Sequence, residues 1–405
     1  MNLARSEASE DTTTSHEVPS FWSGVFAMSV CAFTLVSSEF LPVSLLTPIA
    51  ADLHVSEGMT GQGIAISGLF AVLTSLFIPV IAGSLNRKML LLMLTFAMGL
   101  SGIVVALAPN YSTYMLGRAL IGIAVGGFWS MSAAAAIHMV PKRDIPRALA
   151  LINGGNALAT VIAAPMGAWL DTLIGWRGAF LYLVPVSLIA FAWQWKALPS
   201  MPAPARAPGI ANVFNVFTLF RHPGVIVGML ASSLLFMGQF GLFTYIRPFL
   251  ETVTDVQGTN ISLILLVIGT AGLIGTILIG RILQRAFYQT LVVIPALMAL
   301  IALALIKFGD ATGVVIALLA LWGLTGTSAP VGWWAWITRV FPDDAEAGGG
   351  LFVAVVQMSI ALGSTLGGLF FESGGYRNTF FASAVVLVAC SVLTILTARK
   401  FSRHH

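Results

Sequence analysis

Charge is what this chain has least of. Asp, Glu, Lys and Arg make up 9% of its 405 residues, against about 25% in an ordinary soluble domain, which excludes a water-surrounded globule. Cysteine is nearly absent. Cys31 and Cys390 both sit in apolar stretches, and they imply neither a disulfide framework nor a metal site. Histidine forms no cluster: His138 has no acidic or imidazole neighbour and reads as structural, and His404 and His405 are native or a tag remnant. Lysine is scarce too. A nucleotide-binding loop needs Gly-Lys followed by Ser or Thr, yet Lys88, Lys142, Lys196, Lys307 and Lys400 follow Arg, Pro, Trp, Ile and Arg. ATP-driven work within the chain is thereby excluded. With no expected cofactor or metal and no cluster of His, Asp or Glu, the chain does not read as an enzyme.

Hydrocarbon replaces charge. Hydrophobic residues make up 58% of the chain and mean hydropathy is +0.93. Apolar runs long enough to cross a ~30 Å hydrocarbon core recur at about 21–47, 58–82, 89–108, 111–140, 148–170, 178–197, 224–250, 259–280, 289–307, 312–338, 348–371 and 378–398. Lipid offers no partner to a free peptide group, so all twelve must be helical. The expected fold is an all-α membrane protein with twelve transmembrane helices in two pseudo-symmetric halves of six. The polar segment 1–20 precedes a run too long for a signal-peptide core, so no cleaved leader is expected.

Basic residues test the topology independently. With both termini in the cytoplasm, inner loops and tails hold Arg5, Arg87, Lys88, Lys142, Arg143, Arg147, Lys196, Arg206, Arg221, Arg281, Arg285, Arg339, Arg399, Lys400 and Arg403, while outer loops hold only Arg177, Lys307 and Arg377. Shifting the register by one helix reverses this bias. The net charge of +4 therefore reads as inner-leaflet anchoring and not as a nucleic-acid surface. The expected setting is a bacterial inner membrane, multi-pass, with both termini cytoplasmic. The divisions are a polar tail 1–20, a six-helix half 21–197, a proline-rich cytoplasmic linker 198–223, a second half 224–398 and a tail 399–405. The halves echo one another: Gly175-Trp176-Arg177-Gly178-Ala179-Phe180 returns as Gly375-Tyr376-Arg377-Asn378-Thr379-Phe380, Gly127-Phe128-Trp129 as Gly332-Trp333-Trp334, and Pro141 as Pro342. Repeated halves around a midplane site are a common transporter plan.

Glu39 is the one acid inside an apolar run. It lies about eight residues, or ~12 Å, before the outer end of its run, and Arg118 lies about seven residues, or ~10 Å, into the fourth. An ionisable group at that depth costs about 2.5–3.5 kcal/mol on insertion scales. Low dielectric favours a neutral carboxyl and a nearby guanidinium favours an ionised one, an opposition that lets a carboxylate exchange a proton as its surroundings alternate. Glu39 is the expected proton-coupling group with Arg118 tuning it; the alternative is a fixed structural ion pair. Arg247, near the end of the seventh run, either snorkels to the headgroups or touches substrate. Phe128, Trp129, Phe240, Tyr245, Trp333 and Trp334 offer flat faces, and Asn153, Asn156, Gln239 and Gln357 are amides in otherwise apolar helix. Singly, each ring is better explained by packing or lipid. Together they suit a neutral, planar, hydroxylated solute. Gly122/Gly126 and Gly363/Gly367 have the spacing that lets helices approach closely.

Several stretches resemble a known family. Arg118-Ala-Leu-Ile-Gly122-Ile-Ala-Val-Gly126 is similar to the basic motif in the fourth helix of proton-coupled drug antiporters of the major facilitator superfamily, and Ala164-Pro165-Met166-Gly167 to their antiporter motif. Gly83-Ser-Leu-Asn86-Arg87-Lys88 departs from the superfamily loop, which has Asp before Arg, and this puts its charge relay in doubt. Glu39-Phe-Leu-Pro42-Val-Ser-Leu-Leu-Thr47-Pro48, Gly127-Phe-Trp-Ser-Met-Ser132, Gly238-Gln-Phe240 with Thr244-Tyr-Ile-Arg-Pro248, and Pro330-Val-Gly-Trp333 with Trp336-Ile-Thr-Arg339 resemble the purine ribonucleoside exporters of that branch. The resemblance implies proton-coupled efflux, by alternating access, of nucleosides such as inosine and guanosine, with export of sugars or hydrophobic drugs as the alternative; a monomer is expected, since nothing in the sequence asks for a dimer. A gated channel is the remaining membrane reading.

Overall fold

The computed structural model describes residues 20–82, 85–202, 223–340 and 345–401, and every long element among them is an α-helix. In chain order these are α1 (Trp22–Leu53), α2 (Glu57–Ala82), α3 (Arg87–Ala106), α4 (Tyr111–Met139), a 3-10 turn Lys142–Asp144, α5 (Ile145–Ala197), α6 (Pro223–Phe243), α7 (Ile246–Thr252), α8 (Thr259–Arg285), α9 (Phe287–Phe308), α10 (Thr312–Val340) and α11 (Ala345–Phe401). Most of the expected tail 1–20, most of the linker, the end of the second tail and Pro342 lie outside the described residues. Large apolar side chains stand exposed on the helices, among them Phe96, Leu116, Ile277 and Leu300. In water such a surface would be a liability, and in lipid it is solvent-matched.

Two boundaries differ from expectation. Runs five and six form one element, α5, and runs eleven and twelve form α11. Each nonetheless reverses direction at a glycine. Both ends of α5 lie at the start of α1: Ser29 donates to the Leu151 carbonyl and Gly24 packs on Ala197 and Leu198. Its middle meets the far end of α1, where Trp176 donates to Asp52 at 3.2 Å. In α11 the Thr379 hydroxyl donates to the Gly367 carbonyl at 3.1 Å, whereas twelve residues of straight helix would separate them by ~18 Å. The reversals sit at Gly175 (φ 72°, ψ 168°) and Gly375 (φ 66°, ψ −160°), a region open essentially to glycine alone. The 200-residue sequence echo thus marks two equivalent hairpins, and twelve membrane crossings result. The seventh run is also interrupted, at Thr244–Tyr245 between α6 and α7.

The loops and helix ends carrying Arg87, Lys88, Arg143, Arg147, Lys196 and Arg285 define a basic face; Arg177, Lys307 and Arg377 belong to the opposite face. At the basic face Arg147 stacks over Trp22 and Arg339 over Phe287, 5.3 and 3.7 Å from the ring centroids. Asn86, standing where the superfamily has Asp, acts as a cap. Its Oδ1 accepts from the Lys88 and Met201 amides at 2.9 and 3.2 Å, and its amide donates to Ser200. Asn86→Ala is expected to cost about 1 kcal/mol, the usual price of a lost N-cap. Asn86→Asp should keep the melting temperature, because either side chain presents the accepting oxygen. Thermal unfolding in detergent checks both.

Packing inside each half follows the small residues. A Cβ on Gly122 or Gly126 would collide with the Ser67 or Ala71 carbonyl of α2, and one on Gly363 or Gly367 with the Met237 or Gly241 carbonyl of α6. The expected close approach is therefore realised in both halves. One apolar cluster holds the second half together around Trp322, Trp333 and Trp336, and three smaller ones lie in the first half. The large cluster also takes in Val43, Ile64, Ala164 and Ala168, so the halves meet through side chains of α1, α2 and α5.

Candidate functional site

The site is built on two prolines of α1. A proline has no amide hydrogen, so the carbonyl four residues before it loses its helical partner. Pro42 frees Ser38 and Pro48 frees Ser44, and each carbonyl is claimed by a buried arginine. Arg118 of α4 donates to Ser38 at 2.9 Å and to the Gly63 carbonyl of α2 at 3.1 Å. Arg247 of α7, from the other half, donates to Ser44. Two cations thereby occupy hydrogen-bonding gaps that the sequence of α1 created.

Glu39 follows directly after Ser38. Its Oε1 accepts from the Gln357 amide of α11 at 3.0 Å, a bond between the two halves. Because α1 continues to Leu53 rather than stopping near 47, Glu39 is fourteen residues, or ~21 Å of helix, from its far end. It is thus deeper than its sequence position alone suggested. The expected meeting with Arg118 is indirect: the ion pairs among the described residues are Arg143–Asp144, Arg177–Asp52, Arg247–Asp171 and Arg247–Glu251. Arg118 is spent on the backbone beside Glu39, and its Nη2 has no partner, as is true of Tyr114 Oη and Ser67 Oγ. A fixed Glu39–Arg118 bridge is therefore not what joins these helices.

The remaining expected residues divide by burial. In the echoed pair, Phe128 and Trp333 are each 1% exposed and sit in apolar clusters, so their rings serve packing. Their neighbours Trp129 and Trp334 are more open: Trp129 meets Phe128 edge-on at 5.4 Å, and Trp334, 42% exposed, meets Phe352 at 5.0 Å. Tyr245 is corrected too. It is fully buried, stacked on Phe371 at 5.1 Å, with its hydroxyl donating to the Ser364 carbonyl at 2.9 Å. The break between α6 and α7 turns it into the helix interface, where its hydroxyl lies against Gly61 of α2 between the halves. Phe240 lies with Phe243 against Phe40 of α1, the residue after Glu39, at 6.1 and 6.4 Å. Gln239 keeps a buried Oε1 without a partner, Asn153 is exposed and bonded to its own helix through Leu149, and Asn156 is half-buried.

Arg247 is not a headgroup anchor. It bonds Asp171 of α5 at 2.9 Å and Glu251 of α7 at 2.7 Å, and all three side chains are at most 20% exposed. Glu39 is consequently not the only partly buried acid. Asp171 and Glu251 fall just past the ends of the apolar runs as read, and the helices extend further than those runs. Phe40 was overlooked as well; its position next to Glu39 and the Pro42 kink was the available signal.

Two helical halves joined across a partly buried acid define a two-domain membrane transporter. Residues 27–349 match the family model described as Major Facilitator Superfamily. Over 94% of each chain the protein is 74% identical to a Pseudomonas aeruginosa protein named "Transcription regulatory protein OpdE". Over 93% of this chain and 94% of the relative it is 37% identical to "Purine ribonucleoside efflux pump NepI" of Salmonella typhimurium. The crystal structure of the nucleoside transporter NupG matches with a TM-score of 0.74 at 14% identity, covering 92% of this chain and 98% of that one. The human organic anion transporter MFSD10 gives 0.66 at 15% identity, covering 93% and 100%. The chain belongs to the Major Facilitator Superfamily: it is a multi-pass membrane transporter of a small-molecule substrate, with twelve helices in two halves, and not an enzyme.

Proposed function

We propose that the protein exports purine ribonucleosides in exchange for protons across the bacterial inner membrane, with its basic face and both termini in the cytoplasm. The observation that carries this is the Gln357–Glu39 hydrogen bond between the halves. It ties the environment of one carboxyl to the separation of the halves, as coupling requires. When the halves part, Glu39 loses the Gln357 donor, and the unpartnered Arg118 Nη2 is a donor in reserve for a carboxylate. Protonation removes that demand. Substrate specificity is assigned to the Phe40–Phe240–Phe243 group for the base, with Gln239, Asn156, Trp129 and Trp334 as further contacts. Aromatic stacking contributes about 1–3 kcal/mol per base. The relative named as a purine ribonucleoside efflux pump supports the substrate class.

Uptake of radiolabelled inosine into inverted vesicles under an imposed proton gradient tests this reading. Saturable uptake that stops when the gradient is collapsed is expected. Gradient-driven uptake of an arabinoside or a dye without inosine would leave the transporter and remove the nucleoside. A second reading follows from the regulatory name of the Pseudomonas relative: an exporter that lowers the internal level of a signalling solute alters transcription without touching DNA. A transport-dead variant that keeps a transcriptional effect would refute that indirect route.

A further inference from the structure

Arg247 has partners of two kinds. Glu251 is four residues along the same short helix, α7, and moves with it. Asp171 and the Ser44 carbonyl belong to the first half. Around them, the contacts between halves run from the level of Glu39 to the opposite face: Thr365 donates to Gln62 at 3.1 Å, and Ser56, at the start of α2, donates to Glu372. A recess of about 360 Å³ lined by Thr47, Pro48 and Ala51 of α1 and by Arg247, Glu251 and Gln257 wedges between the halves beside the arginine.

Alternating access requires the halves to separate at the opposite face. Asp171 and the Ser44 carbonyl must then let go of Arg247, and a guanidinium stripped of every partner at that depth would oppose opening. Glu251 removes that obstacle. We propose that Asp171, Arg247 and Glu251 form a transferable latch, in which Asp171 holds Arg247 when the opposite face is closed and Glu251 keeps its charge paired when that face opens. Pro48 completes the device by leaving the Ser44 carbonyl free to receive it. Asp171 and Glu251 are positioning residues of the transport cycle. The latch rests on the transporter reading only, not on the substrate or on protons.

The two carboxylates therefore have opposite expected effects. Asp171→Asn weakens the closed state alone, whereas Glu251→Gln costs more in the open state, where Glu251 is the one partner left to Arg247, than in the closed state, where Asp171 and the Ser44 carbonyl remain. Spin labels at Ser112→Cys and Asp310→Cys, both exposed near the opposite face and on different halves, read the separation in full-length protein in lipid nanodiscs. Asp171→Asn should raise the ratio of long to short distances by roughly tenfold, and Glu251→Gln should lower it by a similar factor. Asp171→Glu should restore the parent distribution. Shifts in the same direction, or none, would overturn the latch, and so would failure of Asp171→Glu to rescue a well-folded Asp171→Asn. The distances need no substrate, so the result is independent of whether inosine is transported.

Discussion

Glu39→Gln is expected to reduce gradient-driven inosine uptake to the level of vesicles lacking the protein while leaving inosine binding almost unchanged. Glutamine has the same size and still offers Gln357 an oxygen acceptor at the position of Oε1, 3.0 Å away. The contact between halves and the neighbouring Phe40–Phe240–Phe243 group therefore persist. What disappears is the only atom pair in this position able to take and release a proton. A Kd for inosine within about tenfold of the parent, ~1.4 kcal/mol, combined with absent proton-driven flux, separates coupling from binding. Proton-driven uptake at parental rates in the variant would move the coupling role elsewhere, and Asp171 and Glu251 would then be the next acids to test.

The second large effect concerns Arg118. It is fully buried and donates to two carbonyls: Ser38, which Pro42 deprives of its helical partner, and Gly63 of α2. Arg118→Ala leaves the Ser38 carbonyl without a donor, and at about 1–3 kcal/mol for a buried unsatisfied group the loss is appreciable against ordinary stabilities of ~5–15 kcal/mol. A clear fall in melting temperature is expected. Lysine reaches with one point charge and lacks the planar fork, so Arg118→Lys should recover only part of it. The proline account makes a sharper demand. Adding Pro42→Ala to Arg118→Ala returns an amide hydrogen to the position facing the Ser38 carbonyl, so the double variant should melt above the single one. Calorimetry or a thermal-shift assay decides. A double variant melting at or below Arg118→Ala would show that the Ser38 carbonyl is not the group Arg118 satisfies.

These expectations show how unevenly the chain could be read. Helix number, the two-half plan and the family all follow from composition, run length and motifs, because in lipid a backbone has one way to satisfy itself and the apolar runs record it. The hairpin glycines were legible as a repeat, Gly175 and Gly375, although their role as loop-free reversals was not. Single aromatic residues were poorly legible. Phe128 and Trp129 are adjacent, and so are Trp333 and Trp334, yet one ring of each pair packs inside and the other is more open. In a helix apolar on nearly all sides, no polar stripe tells the cleft from the core. Asn86 shows the reverse case: a departure from the family pattern that looked like a lost charge proves to be a cap serving Lys88 and Met201.

By itself the sequence determined that this is a helical membrane transporter, that Glu39 lies within a membrane-spanning helix and that Pro42 and Pro48 deprive α1 of two hydrogen bonds, since these depend on local chemistry alone. Only the tertiary structure decided which groups fill those gaps. Arg118 reaches Ser38 across eighty positions and Arg247 reaches Ser44 across more than two hundred. Gln357 comes to Glu39 over 318, and Asp171 becomes a buried partner because α5 runs past the apolar stretch that seemed to end it. Such pairings arise where two halves dock, and no helical periodicity within either half encodes them.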